Sequence, residues 1–157
     1  MRLTQYTDYT LRMLQLVALR APQLITVDEV ARAHGVSRAH MVKVAHQLSV
    51  QGYIETIRGR NGGMRLLCDP AKITVGEVVR WSEGSVELLE CFDPQTSTCP
   101  ITKFCKLSLA IQQANRAFFK ILDGITLSDI TANRNALLNR LTPELSNKTL
   151  SDPRRQP

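Results

Sequence analysis

Three of the chain's four cysteines, Cys91, Cys99 and Cys105, fall in one short, turn-rich stretch, with seven and then five residues between them. Thiolates grouped in this way bind soft metals or undergo redox chemistry. A disulfide would leave one thiol over and needs an oxidising compartment. Structural zinc usually takes four ligands, often in closely spaced Cys-x-x-Cys pairs, and neither gap has that spacing. An iron–sulfur cluster also takes four ligands, mostly thiolates, so three cysteines leave one position for a weaker donor. Such a site is exchangeable, which suits sensing better than permanent structure. Spacing alone places iron–sulfur only slightly ahead of zinc. Cys68 stands apart at the end of an expected strand and reads as a small apolar residue.

The surroundings bound the choice. No signal peptide is legible at the amino terminus, where Asp8 and Arg12 interrupt any apolar run. No apolar run approaches membrane-spanning length. The expectation is a cytosolic protein with reduced thiols, for which a metal or redox site fits better than disulfides. The formal net charge is +6 and is unevenly spread. Residues 1–67 hold nine Lys/Arg against four Asp/Glu, whereas residues 68–105 hold three against six. The basic amino-terminal half suits a phosphate backbone and the acidic cysteine segment does not.

Elements able to use that charge follow from local signals. Residues 4–20 read as a helix with Tyr6, Tyr9, Met13, Leu16 and Val17 on one face, stopped by Pro22. Asp8 lies four residues before Arg12, the spacing of a helical ion pair. Thr26-x-x-Glu29 is a capping box opening a helix that runs to His34, and Gly35 ends it. Ser37 is expected to cap a second helix to about Gln51, with Met41, Val44, Ala45 and Leu48 buried. This is a helix-turn-helix pattern, whose second helix presents Ser37, Arg38, Ala39, His40, Lys43, His46 and Gln47 to a DNA major groove. The three histidines, His34, His40 and His46, have no three- or four-residue spacing and read as surface or phosphate-contacting groups.

Tyr53–Ile57 and Met64–Leu67 read as strands of a hairpin whose tip, Arg58-Gly-Arg-Asn-Gly-Gly63, contains Asn-Gly. Directly after a helix-turn-helix, this is a wing whose Arg58, Arg60, Asn61 and Arg65 reach phosphates or a minor groove. Thr74-x-x-Glu77 opens a helix to about Glu83. Helical pattern resumes near Lys103, with Leu107, Ile111, Ala114, Phe118 and Ile121 at heptad-like spacing. A long apolar helix at the end of a small DNA-binding domain is expected to make a homodimer, as a palindromic operator requires. Thr126-x-x-Asp129 opens one further short helix. The expected fold is mainly α with a small β-hairpin wing. A winged helix-turn-helix domain (1–84) is followed by a cysteine loop (85–105), a dimerisation helix with a short helix after it (106–131), and a flexible tail (132–157).

Together, Leu3–Tyr9, Gly35–Val44, Arg58–Gly63 and the three cysteines resemble the dimeric winged-helix iron–sulfur repressors typified by NsrR, IscR and RirA, from Met1 to about Leu141. Thr7-Asp8-Tyr9, Ser37-x-x-His40-x-Val-Lys43 and Phe118-Phe119-x-x-Leu122-Asp-Gly-x-Thr126-Leu are most similar to the nitric-oxide-sensing NsrR branch. The IscR branch places a histidine three residues after its last cysteine, where this chain has Ser108. The seven-residue gap between Cys91 and Cys99 resembles the iron-responsive RirA branch, which stays as an alternative. The resemblance implies a cluster, four-iron rather than two-iron, held by Cys91, Cys99, Cys105 and an aspartate matching Asp8 from the partner subunit. It implies double-stranded DNA and a second copy of the chain as partners, with nitric oxide as the signal. The rival from another class is an iron–sulfur electron carrier. It leaves the wing unexplained, and the chain has no Gly-rich phosphate loop or catalytic pair that would make it an enzyme.

Overall fold

The computed structural model describes residues 2–84, 88–93, 95 and 97–141. Helix α1 (Gln5–Arg20) is capped by the Thr4 hydroxyl, which accepts from the Thr7 N–H. Its buried face, Met13, Leu14, Leu16, Val17 and Leu19, runs through the middle of the molecule. Helices α2 (Val27–His34) and α3 (Arg38–Val50) pack against it. The Thr26–Glu29 capping box is present on α2 in both directions. Gly35 adopts the left-handed conformation, φ 62° and ψ 35°, which turns the chain into α3 at no Cβ cost. Ser37 does not do what its position suggests, because its hydroxyl makes no bond to the start of α3.

Strands β1 (Ile54–Ile57) and β2 (Gly63–Leu66) pair antiparallel from Ile54 opposite Leu66 to Ile57 opposite Gly63. The wing is pinned to the body by Ile25, whose backbone exchanges hydrogen bonds with Met64 at 2.7 and 3.1 Å. Ile25, Val30, Met41, Val44, Leu48, Ile54 and Met64 join the α1 residues in one core. Each of the elements from α1 to β2 therefore contributes to the core that sets the wing and α3 relative to one another. Truncating a side chain of this kind to alanine typically costs about 2–5 kcal/mol.

Helix α4 (Val75–Glu83) begins at Thr74, which accepts from the Glu77 N–H. It ties the wing to α1 through Trp81, whose ring lies 6.0 Å from Tyr6 and 5.9 Å from Tyr53. The Tyr53 hydroxyl donates to Glu77 at 2.7 Å. Burial, followed by that carboxylate neighbour, holds the phenol strongly protonated.

After the cysteine stretch, α5 (Lys106–Asp123) packs on α4. Arg80 forks onto Asp123 with two 2.6 Å bonds, and its guanidinium sits 4.4 Å above the Phe119 ring. Gly76 permits this approach, since a Cβ there would run into the Asp123 carboxylate. Helix α6 (Leu127–Ile130) has the expected capping box. The stretch read as a tail instead begins with helix α7 (Arg134–Leu141), whose Leu137, Leu138 and Leu141 pack against the core. That burial, and no capping signal, makes it a helix. Residues 142–157, where the remainder of the expected tail falls, lie outside the described residues. No described helix is long and apolar enough to cross a membrane.

Candidate DNA interface and cysteine loop

The exposed face of α3 carries Arg38, Ala39, His40, Lys43, His46 and Gln47, with exposed Ser37 just before it. Arg38, at the first position of the helix, is bound by Asp28 of α2 at 2.6 Å. On the wing, Arg65 is paired across the strands with Glu55 at 2.7 Å. Arg58, Arg60 and Asn61 are exposed at or beside the tip, and neither tip arginine has an ion pair among the described residues. The interface therefore holds two kinds of cation. Arg58 and Arg60 are available for phosphate, while Arg38 and Arg65 are already oriented by a carboxylate.

His34 departs from the surface reading given to all three histidines. It is half-buried beneath α1, and its Nε2 has no hydrogen-bond partner. Burial, and then the charge of Arg12, depress its pKa below the usual histidine value. His40 remains exposed but is not free, because it stacks on Tyr9 of α1 with ring centroids 5.9 Å apart and planes 30° apart.

Asp8 makes the ion pair its spacing implies, with Arg12 Nε donating at 3.0 Å and Nη2 lying 2.8 Å from the other oxygen. The pair is half-exposed and borders a cavity of roughly 640 Å³ together with Arg2, Thr4, His34 and Gly35. The amino end of α1 is tied to the carboxyl end of α4. The Thr4 N–H and hydroxyl donate to Glu83 at 2.8 and 3.0 Å, and the Ser82 hydroxyl donates to Thr7 at 2.8 Å. Burial works against the Glu83 carboxylate, but the threonine hydrogen bonds prevail and lower its pKa. The chain enters the cysteine stretch immediately after this knot.

Cys91 lies in a 3-10 turn, Glu90–Phe92. Glu90 closes the span toward Cys99 by accepting from the Thr98 N–H and hydroxyl at 2.6 and 2.8 Å, and these bonds lower its pKa. Helix α5 starts at Lys106. A separate 3-10 turn, Thr102–Phe104, precedes it, and Cys105 is its cap, with the sulfur accepting from the Ser108 N–H at 3.4 Å. The Cys91 thiol donates to the Ser108 hydroxyl at 3.6 Å. Two of the three thiols therefore meet at one buried serine, at the positive end of an 18-residue helix. Sequence reasoning noted Ser108 only as a missing histidine. The signal it missed was Cys105-x-x-Ser108, which has the spacing of a cap.

All four cysteines are free thiols; Cys91, Cys99 and Cys105 are half-buried, and Cys68 is exposed with its sulfur 3.6 Å from the Gly52 carbonyl. The donors in the stretch fit a thiolate-ligated iron site. They lie in one loop, with no disulfide, and two of them are at a helix amino terminus. Among the described residues, no three His, Cys, Asp or Glu side chains converge to hold a metal, and Asp8 sits on a different element.

Comparison with known proteins places this architecture. The chain is 42% identical over 142 residues to the HTH-type transcriptional regulator NsrR of Geobacillus kaustophilus, covering 90% of this chain and 97% of that one. It is 40% identical to the NsrR of Bacillus subtilis with the same coverage. The solved structure of T. potens IscR superposes with a TM-score of 0.67 over 85% of this chain and 88% of that one at 21% identity, a likeness of fold. The family model Rrf2, described as an iron-dependent transcriptional regulator, matches residues 3–133. With relatives that are transcriptional regulators and not enzymes, a helix-turn-helix with a wing and a match over most of its length, the chain belongs to the Rrf2 family of DNA-binding transcriptional regulators.

Proposed function

We propose that the chain is a dimeric repressor that holds an iron–sulfur cluster on Cys91, Cys99 and Cys105 and releases its operator when nitric oxide attacks that cluster. The observation that carries the reading is the set of three free thiols in the loop joining α4 to α5, two of them gathered at Ser108, directly behind a winged helix-turn-helix. The family description, iron-dependent, favours iron over zinc, and the NsrR relatives favour the nitric-oxide branch.

In this reading Asp8 of the partner subunit supplies the fourth ligand. A carboxylate oxygen on iron is more labile than a thiolate, so the bound cluster, four-iron in preference to two-iron, would offer one reactive iron to nitric oxide. The protein's part is then mechanical. Asp8 exchanges between the partner's site and Arg12 of its own helix, and α1 transmits the exchange to α3. Ser37, Arg38, His40, Lys43, His46 and Gln47 face the major groove of a palindromic site. Arg58, Arg60, Asn61 and Arg65 hold the flanking backbone. The exposed apolar residues of α5, Leu107 and Ile121 among them, form the contact between the two copies.

The iron-responsive alternative rests on the seven-residue gap between Cys91 and Cys99 and differs in signal, not in site. Metal analysis of anaerobically purified protein tests the shared core of both. Iron and acid-labile sulfide in equal amounts, with no zinc, are the expected result. Zinc without sulfide would refute both readings.

A further inference from the structure

We infer that the stack of Tyr9 on His40 is the contact through which the state of Asp8 reaches the recognition helix. The inference rests on Asp8 being the exchanging ligand. Asp8 and Tyr9 are consecutive in α1, so their side chains leave the axis roughly 100° apart, at 3.6 residues per turn. Asp8 faces the cavity it shares with Arg2, His34 and Gly35. The Tyr9 ring borders that cavity too, and also a second one of roughly 220 Å³ against α3, lined by Gln5, Tyr6, His40, Lys43 and Val44. Gln5 and Tyr9 both line the two cavities, and of the two it is Tyr9 that stacks on the recognition helix, at His40. Its ring lies 5.9 Å from the His40 imidazole, within the range of favourable aromatic pairs.

The rest of α1 is poorly placed to carry the same message. From Met13 to Leu19 its inward residues are fully buried, and a close-packed core resists small displacements. The first turns, by contrast, meet α3 across a half-buried stack with space beside it. They are also joined to the carboxyl end of α4 by the Thr4–Glu83 and Thr7–Ser82 hydrogen bonds. Movement of Asp8 away from Arg12 turns this segment, carries the Tyr9 ring with it, and re-aims His40 and the neighbouring Ser37 and Arg38. Tyr9 is a positioning residue; it touches neither DNA nor cluster.

The test is the ratio of operator dissociation constants for cluster-free and cluster-loaded protein, measured for wild type, Tyr9→Phe, Tyr9→Leu and His40→Ala. Cluster absorbance is checked in each. A ratio is used because any direct interaction of His40 with DNA drops out of both states alike. Wild type should show a ratio of about a hundred. Tyr9→Phe, which keeps the ring, should retain it. Tyr9→Leu and His40→Ala should reduce it about tenfold or more while binding the cluster normally. In the cluster-free protein, the His40 ring protons should be shifted upfield in the NMR spectrum and move back in Tyr9→Leu. An undiminished ratio in either folded variant would overturn the inference, and either variant suffices if the other does not fold. A wild-type ratio of one would instead sink the underlying reading of the cluster.

Discussion

In the proposed site Asp8 would have two partners, Arg12 of its own helix and the partner subunit's cluster, and how firmly each holds it would decide how the site comes apart. Within the protomer Arg12 binds it at 2.8 and 3.0 Å, but the pair is half-exposed. An i,i+4 pair of that kind is worth only about 0.3–0.5 kcal/mol, so it parks the carboxylate without locking it. Asp8→Ala should therefore leave the fold intact and hasten anaerobic loss of the cluster's visible absorbance. Cys99→Ala should prevent cluster binding and Cys68→Ala should not; the reverse pattern would reassign the ligands. Among the residues proposed to face DNA, Arg60 is exposed and without an ion pair among the described residues, whereas Arg65 is engaged by Glu55. Arg60→Ala should weaken binding to all sequences and reduce the slope of log affinity against log salt by about 1. The effect of Arg65→Ala should be smaller; a larger one would mean that the Glu55 pair opens on DNA. Residue roles fixed by local chemistry, such as the Thr26–Glu29 box and the Gly35 turn, were legible in the sequence. The burial of His34 was not, because it comes from α1 packing across it. The idle hydroxyl of Ser37 was not either; there the pairing of Arg38 with Asp28 marks the start of the helix.

Between elements, the decisive joint is α4 with α5, because the cysteine loop is strung between them. Arg80 and Asp123 clamp that joint from the loop's far side. The Arg80 guanidinium holds the Asp123 carboxyl below the ordinary aspartate value. A carboxyl whose pKa is depressed by folding stabilises the native state above its unfolded value, and that contribution disappears as pH falls through the lowered native value. In urea titrations, wild type should lose part of its stability as pH falls through and below the ordinary aspartate range. Asp123→Asn should start lower and lose less over the same interval. Equal losses in the two proteins would show that the clamp is not stabilising. Helices α1 to α4 and the wing could be read from periodicity and caps, with strand ends displaced by one residue. Helix α7 could not, since only its contacts with a core assembled from distant segments make it helical. The cap of α5 went unread because it is a cysteine sulfur, which helix-start rules do not include.

On the proposed reading, a second copy of the chain completes the site. Helix α5 exposes Leu107 and Ile121, both more than 60% accessible and two heptads apart on one face, with Leu109 exposed on the opposite side. In the proposed dimer Leu107 and Ile121 would pack against a second copy, which would bring its own Asp8 and recognition helix. Ile121→Glu should shift the protein to monomer in sedimentation experiments and abolish tight operator binding. A monomer that binds the palindrome as well as wild type would contradict the dimer. In the proposed site the fourth ligand would come from another subunit, which local sequence patterns do not reveal; only the resemblance to known repressors directed attention to Asp8. The central claim is that nitric oxide, acting at the cysteine loop, controls affinity for DNA. It is tested most directly by fluorescence anisotropy of operator DNA with anaerobic, cluster-loaded protein, titrated separately with nitric oxide and with an iron chelator. Stoichiometric nitric oxide should raise the dissociation constant about a hundredfold, equivalent to ~3 kcal/mol of coupling, whereas stoichiometric chelator should leave it unchanged. Unchanged affinity under nitric oxide, with release by the chelator alone, would contradict the claim.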